Sequence, residues 1–367
     1  MSQRRLRVGV IFGGRSGEHE VSVMSARGIL KALDPDRFEA VPIGIDRDGR
    51  WQLVEPRALL APGQAAADRV GEGALVQAHE VASSAIERRE LSDLSGRFGV
   101  DVFFPIVHGS QGEDGALQGL LEMAGAPYVG CGVLGSAVGM DKDVSKRLLR
   151  DAGLPIVDFV VARAGGVAGA ELAQRVEREL GYPCFVKPAN LGSSVGVSKV
   201  RSASELDAAL AEAFRYDRKL VIERGIDARE IETAVLGLSH PEVSLPGEIV
   251  PRHEFYSYEA KYLDPNGAEL MVPAPISEAQ TREVQQLSLR AFEALELEGL
   301  ARVDFFLDRH DGRWYVNEVN TLPGFTEVSM YARMWQHTGL SYRDLVTQLI
   351  ELALARFDAR QKLETRR

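Results

Sequence analysis

RVGVIFGGRSGEHEVSVMSARGILKAL, residues 7–33, holds the pattern that predicts the fold class of this 367-residue chain. Residues 7–14 form a short apolar, β-branched run that ends in two glycines, and residues 22–33 repeat apolar side chains at helical spacing. This order predicts a buried strand, a loop and a helix. The loop GEHE, residues 17–20, holds two acids and a histidine where a glycine-rich phosphate loop would be expected.

The alternation of strand and helix continues through the first third of the chain. FEAVPIGID (38–46) and DVFFPIVHG (101–109) have the composition of strands, and ALQGLLEMAG (116–125) has that of a helix. This alternation predicts an α/β domain with a mostly parallel, Rossmann-like sheet covered by helices. Residues 55–95 lack a core pattern, so we interpret them as a peripheral insertion.

A different pattern begins at MDKDVSKRLLRDAGLP, residues 140–155, which predicts an amphipathic helix. The strand pair PCFVKP (183–188) and VGVSKV (195–200) then flanks the small-residue turn NLGSS, and predicts a small α+β unit. The last region contains β-rich segments and a helix at residues 277–296, with a capping box at Ser277 and Gln280. We therefore predict three domains, at residues 1–130, 131–226 and 227–367.

Composition and charge limit the partners of the chain. A formal net charge of −10 argues against nucleic acid or an anionic membrane, so a phosphate ligand would need a local cluster of cations. Cys131 and Cys184 fit neither a disulfide framework nor a CxxC metal site, and we expect buried thiols. The first apolar run is too short for a signal peptide or membrane span, which predicts a cytoplasmic protein.

The strongest chemical signal is ARVDFFLDRHDGRWYVNEVN, residues 301–320, which predicts two strands joined by a turn near residue 311. Alternation places Arg302 and Asp304 on one face of the first strand, and Glu318 and Asn320 on one face of the second. A register centred near residue 311 sets Asp304 opposite Glu318. Two carboxylates and an amide oxygen suit Mg²⁺, with phosphates as further ligands. The alternative is the solvated face of an edge hairpin.

Three lysines at the edges of separate elements, Lys142, Lys187 and Lys261, favour a phosphate ligand. VKPANLGSSVG (186–196) joins a strand-end lysine to a turn whose backbone N–H groups can surround a polyphosphate. KYLDPNG (261–267) is interpreted as a lid, or alternatively as a surface loop with a solvated lysine. In NTLPGFTEVSM (320–330), Gly324 can bring a backbone N–H close to a substrate oxygen, although an ordinary strand-to-helix connection would have the same sequence.

GCGVLG, residues 130–135, fits the dinucleotide pattern GxGxxG and raises a nicotinamide-dependent enzyme as an alternative. The acid expected about 20 residues later would be Asp151, which lies at a helix terminus rather than after a second strand. A domain-linking turn fits these glycines better. The sequence contains no GxxxxGK[ST] motif, which excludes a P-loop fold.

Seven segments in order resemble the D-alanine–D-alanine ligases, a family of the ATP-grasp superfamily, over nearly the whole chain. They are GGRSGEHEVS, HGSQGEDG, MDK, VKPANLGSSVGV, YEAKY, ARVDFF and NEVNTLPGFT. The resemblance implies a three-domain ATP-grasp fold and ATP-dependent formation of D-alanyl-D-alanine for peptidoglycan precursors in the cytoplasm. It also implies two Mg²⁺ ions, with Mn²⁺ and K⁺ as further options, and a homodimer.

The resemblance also implies which residues bind ATP and metal. Lys142 and Lys187 would hold the α- and β-phosphates, and Lys261 of the lid would be a further nucleotide-binding residue. The adenine and ribose would be met by Glu223, Arg224, Ile226 and Glu230. Arg224 replaces the lysine of many members, a change that a backbone contact to adenine would tolerate. The metal ligands would be Asp304, Glu318 and Asn320.

Substrate roles follow by the same resemblance. Glu18 would receive the ammonium group of the first D-alanine, which accounts for an acid in the loop at residues 17–20. Its hydrogen-bonding partners would be Ser193 and Tyr262, and His108 would lie nearby, although a lone His-Gly pair is more often structural. The second D-alanine carboxylate would be met by Ser329 and Met330. The tetrahedral oxyanion would be stabilised by Arg302 and the N–H of Gly324.

Three rivals stay open at this point. The nearest is a relative that makes D-alanyl-D-lactate or D-alanyl-D-serine, against which Tyr262 favours the dipeptide of two D-alanines. The second is an ATP-binding regulatory protein without turnover, and the third is the nicotinamide-dependent enzyme. All of these rivals bind small molecules, and none requires nucleic acid or a membrane.

Overall fold

The residues that the structure describes form three sheets, and the first of them is mostly parallel, as the sequence predicts. A computed structural model describes residues 4–60, 94–166, 169–251 and 268–363. The strands of this sheet, in the order β3-β2-β1-β4, are β1 (Leu6–Gly13), β2 (Phe38–Ile45), β3 (Trp51–Leu53) and β4 (Val102–Pro105). Strand β1 pairs in parallel with β2 and β4, and β3 adds an antiparallel edge. The accompanying helices are α1 (His19–Ala32), α2 (Pro56–Leu60), α3 (Leu94–Phe98) and α4 (Ala116–Met123).

The second sheet is antiparallel and has the order β5-β8-β6-β7. Its strands are β5 (Phe159–Arg163), β6 (Cys184–Pro188), β7 (Ser198–Val200) and β8 (Lys219–Arg224). The helices of this region are α5 (Val133–Met140), α6 (Lys142–Asp151), α7 (Ala170–Glu179) and α8 (Ala203–Ala213). Helix α6 contacts both β8 and the strand Trp314–Asn320 of the third sheet, so it lies where the two sheets adjoin.

The third sheet is antiparallel and follows the path β12-β11-β9-β13-β14, with β10 paired to β9. Its strands are β9 (Ala228–Gly237), β10 (Glu242–Val243), β11 (Gly247–Pro251), β12 (Ala268–Met271), β13 (Gly299–Asp308) and β14 (Trp314–Asn320). The helices are α9 (Glu278–Ala294), α10 (Met330–Thr338) and α11 (Tyr342–Gln361). Helix α9 begins with the predicted capping box of Ser277 and Gln280.

The last two helices share one hydrophobic core with the first sheet. Phe12 and Phe104 of that sheet belong to the same buried cluster as Tyr331 and Tyr342 of α10 and α11. Phe325, in the loop before α10, lies among them, and its ring is tilted against those of Phe104, Tyr331 and Tyr342 at centroid distances of 5.8, 5.9 and 5.6 Å. This core holds the loop at residues 321–329 against the N-terminal sheet. Each sheet falls within one predicted domain range, and the boundaries between those ranges stay a prediction.

Several local expectations can be compared with the described residues. Cys131 and Cys184 are both buried and free, as predicted. Helix α1 begins at His19, three residues before the predicted start, and Glu20 in its first turn suits the positive end of a helix. The insertion is described only at its ends, where Leu59 and Leu94 are buried; residues 61–93 lie outside the described residues.

Gly130 and Gly132 of GCGVLG lie in a buried link before α5, and Gly135 lies in the first turn of that helix. Arg356 donates a hydrogen bond to the carbonyl of Gly130, and a Cβ at Gly135 would lie 2.7 Å from the carbonyl oxygen of Glu296. The close packing accounts for the small residues and favours a linking turn over a dinucleotide site. Within residues 4–60, 94–166, 169–251 and 268–363, no helix is both long and apolar enough to cross a membrane.

Candidate active site

Three loops meet at Glu18, the residue that precedes α1. Ser193, in the turn between β6 and β7, donates a hydrogen bond to Glu18 Oε1 across 175 residues of sequence. The third loop is close enough that a Cβ on Gly109 would lie 2.8 Å from Glu18 Oε2. The carboxylate that the sequence marked as unusual therefore joins the N-terminal sheet to the central glycine and serine turn.

The turn itself adopts an uncommon backbone conformation. Ser193 and Ser194 have φ values of 52° and 59°, in the left-handed region that residues other than glycine rarely adopt. The turn closes through the N–H of Val195, which donates to the carbonyl of Gly192 at 3.2 Å. Such outliers cluster at ligand-binding loops, because the surrounding structure must hold them in place.

Two of the three lysines predicted to bind phosphate, Lys142 and Lys187, lie within the described residues, and each contacts a different acid. Lys142, at the start of α6, places Nζ 2.8 Å from the carbonyl oxygen of Leu191 and 3.5 Å from Glu318 Oε2. Lys187, near the end of β6, places Nζ 2.6 Å from Glu223 Oε2. One lysine thus connects the central turn to the hairpin, and the other is paired inside the central sheet.

Burial and charge set the protonation of this lysine group. Burial alone would raise the pKa of Glu223, but Lys146 and Lys187 outweigh it and hold this pKa at about 2. Burial likewise opposes the charge of Lys187, but Glu223, Glu318 and Glu230 outweigh it and raise the pKa of Lys187. Glu223 is therefore a carboxylate and Lys187 an ammonium group at neutral pH.

The hairpin has the predicted register. Asp304 of β13 lies opposite Glu318 of β14, Arg302 lies opposite Asn320, and a bulge follows Asp304. Arg302 binds Asp304 through two hydrogen bonds of 2.7 Å, and Asn320 Nδ2 donates to Asp304 Oδ2 at 2.9 Å. Asp304 is only 8% exposed, so the alternative of a solvated face is wrong.

Glu232 is a further acid of this face that the sequence analysis missed. It lies on β9 opposite Asp304, is 4% exposed, and places Oε2 3.1 Å from Arg302 Nε. Burial alone would lower the pKa of Arg302, but Asp304 and Glu232 outweigh it and raise this pKa well above its usual value. The spacing of Glu230 and Glu232 around buried Ile231 was the available signal, since alternation puts both acids on one face.

The oxygen atoms on this face are suitable ligands for Mg²⁺. Asp304 and Glu318 supply carboxylate oxygens, and because Asn320 turns its amide nitrogen toward Asp304, its oxygen can act as a further donor. Within the described part of the chain, no group of three or more His, Cys, Asp and Glu side chains is arranged to hold a metal. Two carboxylates with phosphate oxygens and water are a usual Mg²⁺ environment.

His108 connects the N-terminal sheet to the segment that follows the hairpin. Its Nδ1 lies 3.0 Å from the carbonyl oxygen of Leu322, and its Nε2 lies 3.1 Å from Ser25 Oγ. The N–H of Phe325 donates to the same Ser25 hydroxyl at 3.3 Å. His108 is buried. In this structure both ring nitrogens are engaged in fixing the path of residues 322–325.

That segment leaves backbone groups available beside the site. A Cβ added to Gly324 would meet nothing within 4 Å, so this residue faces open space. Ser329 precedes α10 and donates its hydroxyl to the carbonyl of Thr326 at 2.7 Å. The side chain of Met330 is buried in the core shared with the first sheet, which leaves its backbone N–H, in the first turn of α10, as the polar group it can offer.

The residues assigned to adenine lie at the link between β8 and β9. The side chain of Arg224 is exposed and forms an ion pair of 2.8 Å with Asp158, so it points away from buried Glu223. Ile226 is half-buried in the link, and Glu230 follows on β9. Lys261 and Tyr262 lie outside the described residues.

Comparisons with known proteins agree over nearly the whole chain. The family model described as D-ala D-ala ligase N-terminus matches residues 7–131, and that described as D-ala D-ala ligase C-terminus matches residues 148–351. The D-alanine–D-alanine ligase A of Chromobacterium violaceum is 52% identical over 354 residues, covering 95% of each chain. That of Thermoanaerobacter pseudethanolicus is 47% identical over 352 residues, covering 95% of this chain and 96% of its own.

Solved structures give the same result for the fold. The D-alanine–D-alanine ligase of Coxiella burnetii has a TM-score of 0.83 and 38% identity, and the match covers 98% of this chain and 97% of that one. The VanG D-Ala:D-Ser ligase of Enterococcus faecalis has a TM-score of 0.80 and 34% identity, covering 95% and 100%. The chain therefore has the ATP-grasp fold, and it belongs to the D-alanine–D-alanine ligase family.

Proposed function

We propose that this chain uses ATP to join two D-alanines into D-alanyl-D-alanine, forming ADP and phosphate, for peptidoglycan precursors in the cytoplasm. The observation that carries the proposal is the contact between Glu18 and Ser193. It sets a carboxylate suited to an ammonium group beside a turn suited to a polyphosphate. An amino acid and a nucleotide can therefore meet at this place. Homodimer formation is part of the proposal through the family alone.

In the nucleotide complex, the polyphosphate would lie along the glycine and serine turn. Lys142 and Lys187 would hold the α- and β-phosphates, and Lys261 would supply a further cation. At the other end, Glu223 and the backbone of Arg224 and Ile226 would meet the adenine, and Glu230 the ribose. The exposed side chain of Arg224, held by Asp158, leaves that contact to its backbone.

The first half-reaction would form an acyl phosphate. Glu18, with Ser193 and Tyr262, would bind the ammonium group of the first D-alanine and turn its carboxylate toward the γ-phosphate. A carboxylate oxygen attacks the γ-phosphorus, the bond from phosphorus to the β–γ bridging oxygen breaks, and ADP leaves with that electron pair. The protein contributes positioning and positive charge rather than a nucleophile.

The second half-reaction would form the peptide bond. The neutral amine of a second D-alanine attacks the acyl carbon, the C–O bond to the phosphate breaks, and inorganic phosphate leaves with the proton that the amine loses as the amide forms. Arg302 and the N–H of Gly324 would stabilise the oxyanion, since Gly324 faces open space next to the site. The hydroxyl of Ser329 and the N–H of Met330 would bind the second carboxylate. His108 would hold the segment that carries Gly324 in place.

In this proposal Asp304, Glu318 and Asn320 would hold two Mg²⁺ ions. Bound Mg²⁺ would offset the charge that develops on the transferring phosphoryl group. Mn²⁺ could replace Mg²⁺ because it accepts the same oxygen ligands. Activation by K⁺ is a separate expectation from the family. Arg302 and Lys142 would keep the two carboxylates oriented before the ions bind.

The test is release of phosphate from MgATP in the presence of D-alanine, with the product identified by mass. The proposal expects release that depends on D-alanine, with D-alanyl-D-alanine as product, and no release with L-alanine. Parallel reactions with D-alanine plus D-lactate or D-serine test the nearest rivals, of which D-serine is named for the VanG relative. A mixed product in preference to the dipeptide would overturn the substrate assignment.

A matched pair of variants tests the role of Glu18. Glu18→Gln should raise the KM for D-alanine by at least tenfold, because it removes the charge that faces the ammonium group. Glu20→Gln removes the same charge two residues away, where the side chain is exposed and paired with Arg47, and should change KM less than twofold. Equal effects of the two substitutions would contradict the assignment.

Two remaining rivals are tested with the unmodified chain. Nucleotide binding without turnover on any D-amino acid would favour the regulatory protein over the ligase. A fluorescence titration with NADH tests the nicotinamide alternative, for which saturable binding would be required. We expect turnover in the first experiment and no saturation in the second.

A further inference from the structure

Lys146 is a buried lysine that has no role in the proposed reaction. It lies one helical turn after Lys142 on α6, so the two side chains share a face of the helix. Lys142 reaches toward the turn and the hairpin, whereas Lys146 is only 1% exposed and places Nζ 3.1 Å from Glu223 Oε1. A lysine is rarely buried this far unless it is paired.

Glu223 therefore lies between the amino groups of two lysines. Burial lowers the pKa of Lys146, and the negative charge of Glu223 opposes that change. Its Oε2 is 2.6 Å from Lys187 Nζ, its Oε1 is 3.1 Å from Lys146 Nζ, and the residue is 2% exposed. Within the described residues, neither Lys146 Nζ nor Glu223 Oε1 has an aligned hydrogen-bond partner. The contact between Lys146 and Glu223 is therefore an ion pair without an aligned hydrogen bond.

The two lysines differ in access to the site. Lys187 keeps a side chain that is 15% exposed, and it lies within the electrostatic influence of Glu318 and Glu230. Lys146 has no comparable access, since its side chain is 1% exposed. Lys187 can therefore leave Glu223 to contact a phosphate oxygen, whereas the buried Lys146 remains paired with Glu223.

The number of positive charges around Glu223 indicates a role for Lys146. If Glu223 had Lys187 as its single counter-ion, transfer of Lys187 to a phosphate would leave a carboxylate buried without compensation, which is strongly unfavourable. With Lys146 in place, Glu223 keeps a counter-ion after Lys187 has moved. The burial of a second lysine in this position is otherwise costly, because an apolar side chain would fill the same space more favourably.

We propose that Lys146 is a positioning residue that neutralises Glu223 and so releases Lys187 to bind the phosphates of the nucleotide. This inference rests on the proposed function for the nucleotide site, and it adds a residue that acts through Lys187 and Glu223. It concerns polyphosphate binding alone. Adenosine has no phosphate to draw Lys187 away, so Glu223 keeps Lys187 as its counter-ion in the adenosine complex, and loss of Lys146 should affect adenosine much less than the nucleotide.

The experiment is calorimetric titration of the full chain with a non-hydrolysable ATP analogue and Mg²⁺, without D-alanine. Lys146→Met keeps the length of the side chain and removes its charge, and we expect the Kd of the analogue to rise at least tenfold. Ligand-observed NMR with adenosine should show a change of less than twofold. Arg147→Met, which removes an exposed charge from the same helix, should leave both affinities within twofold.

A double variant separates the proposal from a loss of folding. In Glu223→Gln the buried carboxylate is gone, so Lys146→Met added to it should change the affinity for the analogue less than threefold. A tenfold gap between the double variant and Glu223→Gln would overturn the proposal, as would equal affinities of Lys146→Met and the unmodified chain. If the unmodified chain bound no ATP analogue, the proposed function would fail together with this inference.

Discussion

Replacement of Arg302 by Met tests the charged face of the third sheet most directly. Arg302 holds Asp304 through two hydrogen bonds of 2.7 Å and lies 3.1 Å from Glu232. Methionine keeps much of the stem and its packing, and removes the positive charge. The variant therefore leaves two buried carboxylates facing each other across β9 and β13.

The expected loss of stability follows from burial. Asp304 and Glu232 are 8% and 4% exposed, so solvent compensates little of the lost charge. Removing one partner of a buried ion pair costs about 3–5 kcal/mol in the free energy of unfolding. If Arg302 also stabilises the oxyanion, kcat should fall by about 100- to 1,000-fold.

Urea unfolding with and without Mg²⁺ measures the first effect, and D-alanine-dependent phosphate release measures the second. Because Arg302 occupies both oxygens of Asp304, Mg²⁺ should stabilise Arg302→Met more than the unmodified chain. The matched control is Arg229→Met, because Arg229 holds Glu248 with the same two bonds of 2.7 Å on the opposite face. Arg229→Met should have a lower free energy of unfolding, and Mg²⁺ should stabilise this variant no more than it stabilises the unmodified chain. The kcat of Arg229→Met should change less than fivefold.

Two results would contradict the role of Arg302 as the counter-ion of Asp304 and Glu232. The first is an Arg302→Met variant that unfolds at the same urea concentration as the unmodified chain, since the buried carboxylates would then need no cation. The second is a Mg²⁺ response that is equal in Arg302→Met and Arg229→Met, since Mg²⁺ would then act away from Asp304.

Three further predictions concern the central turn, the lysine group and the shared core. Ser193→Ala removes a hydrogen bond to a carboxylate, worth about 1.5–3 kcal/mol, so the KM for D-alanine at saturating ATP should rise about 10- to 100-fold; an unchanged KM would contradict the contact with Glu18. The pKa of Glu223 is about 2 when folded, below its usual 4.5, so its stabilisation is present above pH 4.5 and lost as pH falls toward 2. The gap in unfolding free energy between the unmodified chain and Glu223→Gln should therefore narrow by about 3 kcal/mol over that interval, and a constant gap in urea titrations would count against the ion pairs. Tyr331→Phe removes a buried 2.8 Å hydrogen bond to the carbonyl of Val235 and should cost about 1 kcal/mol, which an unchanged urea midpoint would disprove.

Local pattern accounts for the features that the sequence predicted well. The strands and helices of the first sheet follow from apolar periodicity, and the capping box at Ser277 from a four-residue motif. The opposition of Asp304 and Glu318 could be predicted because a short turn fixes the register of a hairpin, and alternation then fixes the faces. These properties depend on residues that lie close together along the chain.

The resemblance to the ligase family predicted that residues far apart in the sequence share one site, which local sequence patterns could not predict. Hydrophobic periodicity cannot predict the contact between Glu18 and Ser193, because the two residues are 175 positions apart in the sequence. The resemblance placed them at one substrate, and the structure brings their side chains into contact. It assigned Glu223 to adenine, but gave no sign of the two lysines that hold its carboxylate.

Local spacing and residue type were enough to predict the order of the main strands and helices, the register of the hairpin and the charged character of the site. Only tertiary packing determined that Lys146 is buried against Glu223, that Glu232 faces Arg302, and that α10 and α11 share a core with the first sheet. His108 contacts Leu322 across 214 residues in the same way. Burial and charge pairing are set by what each side chain meets from distant segments, and no spacing along the chain encodes that encounter.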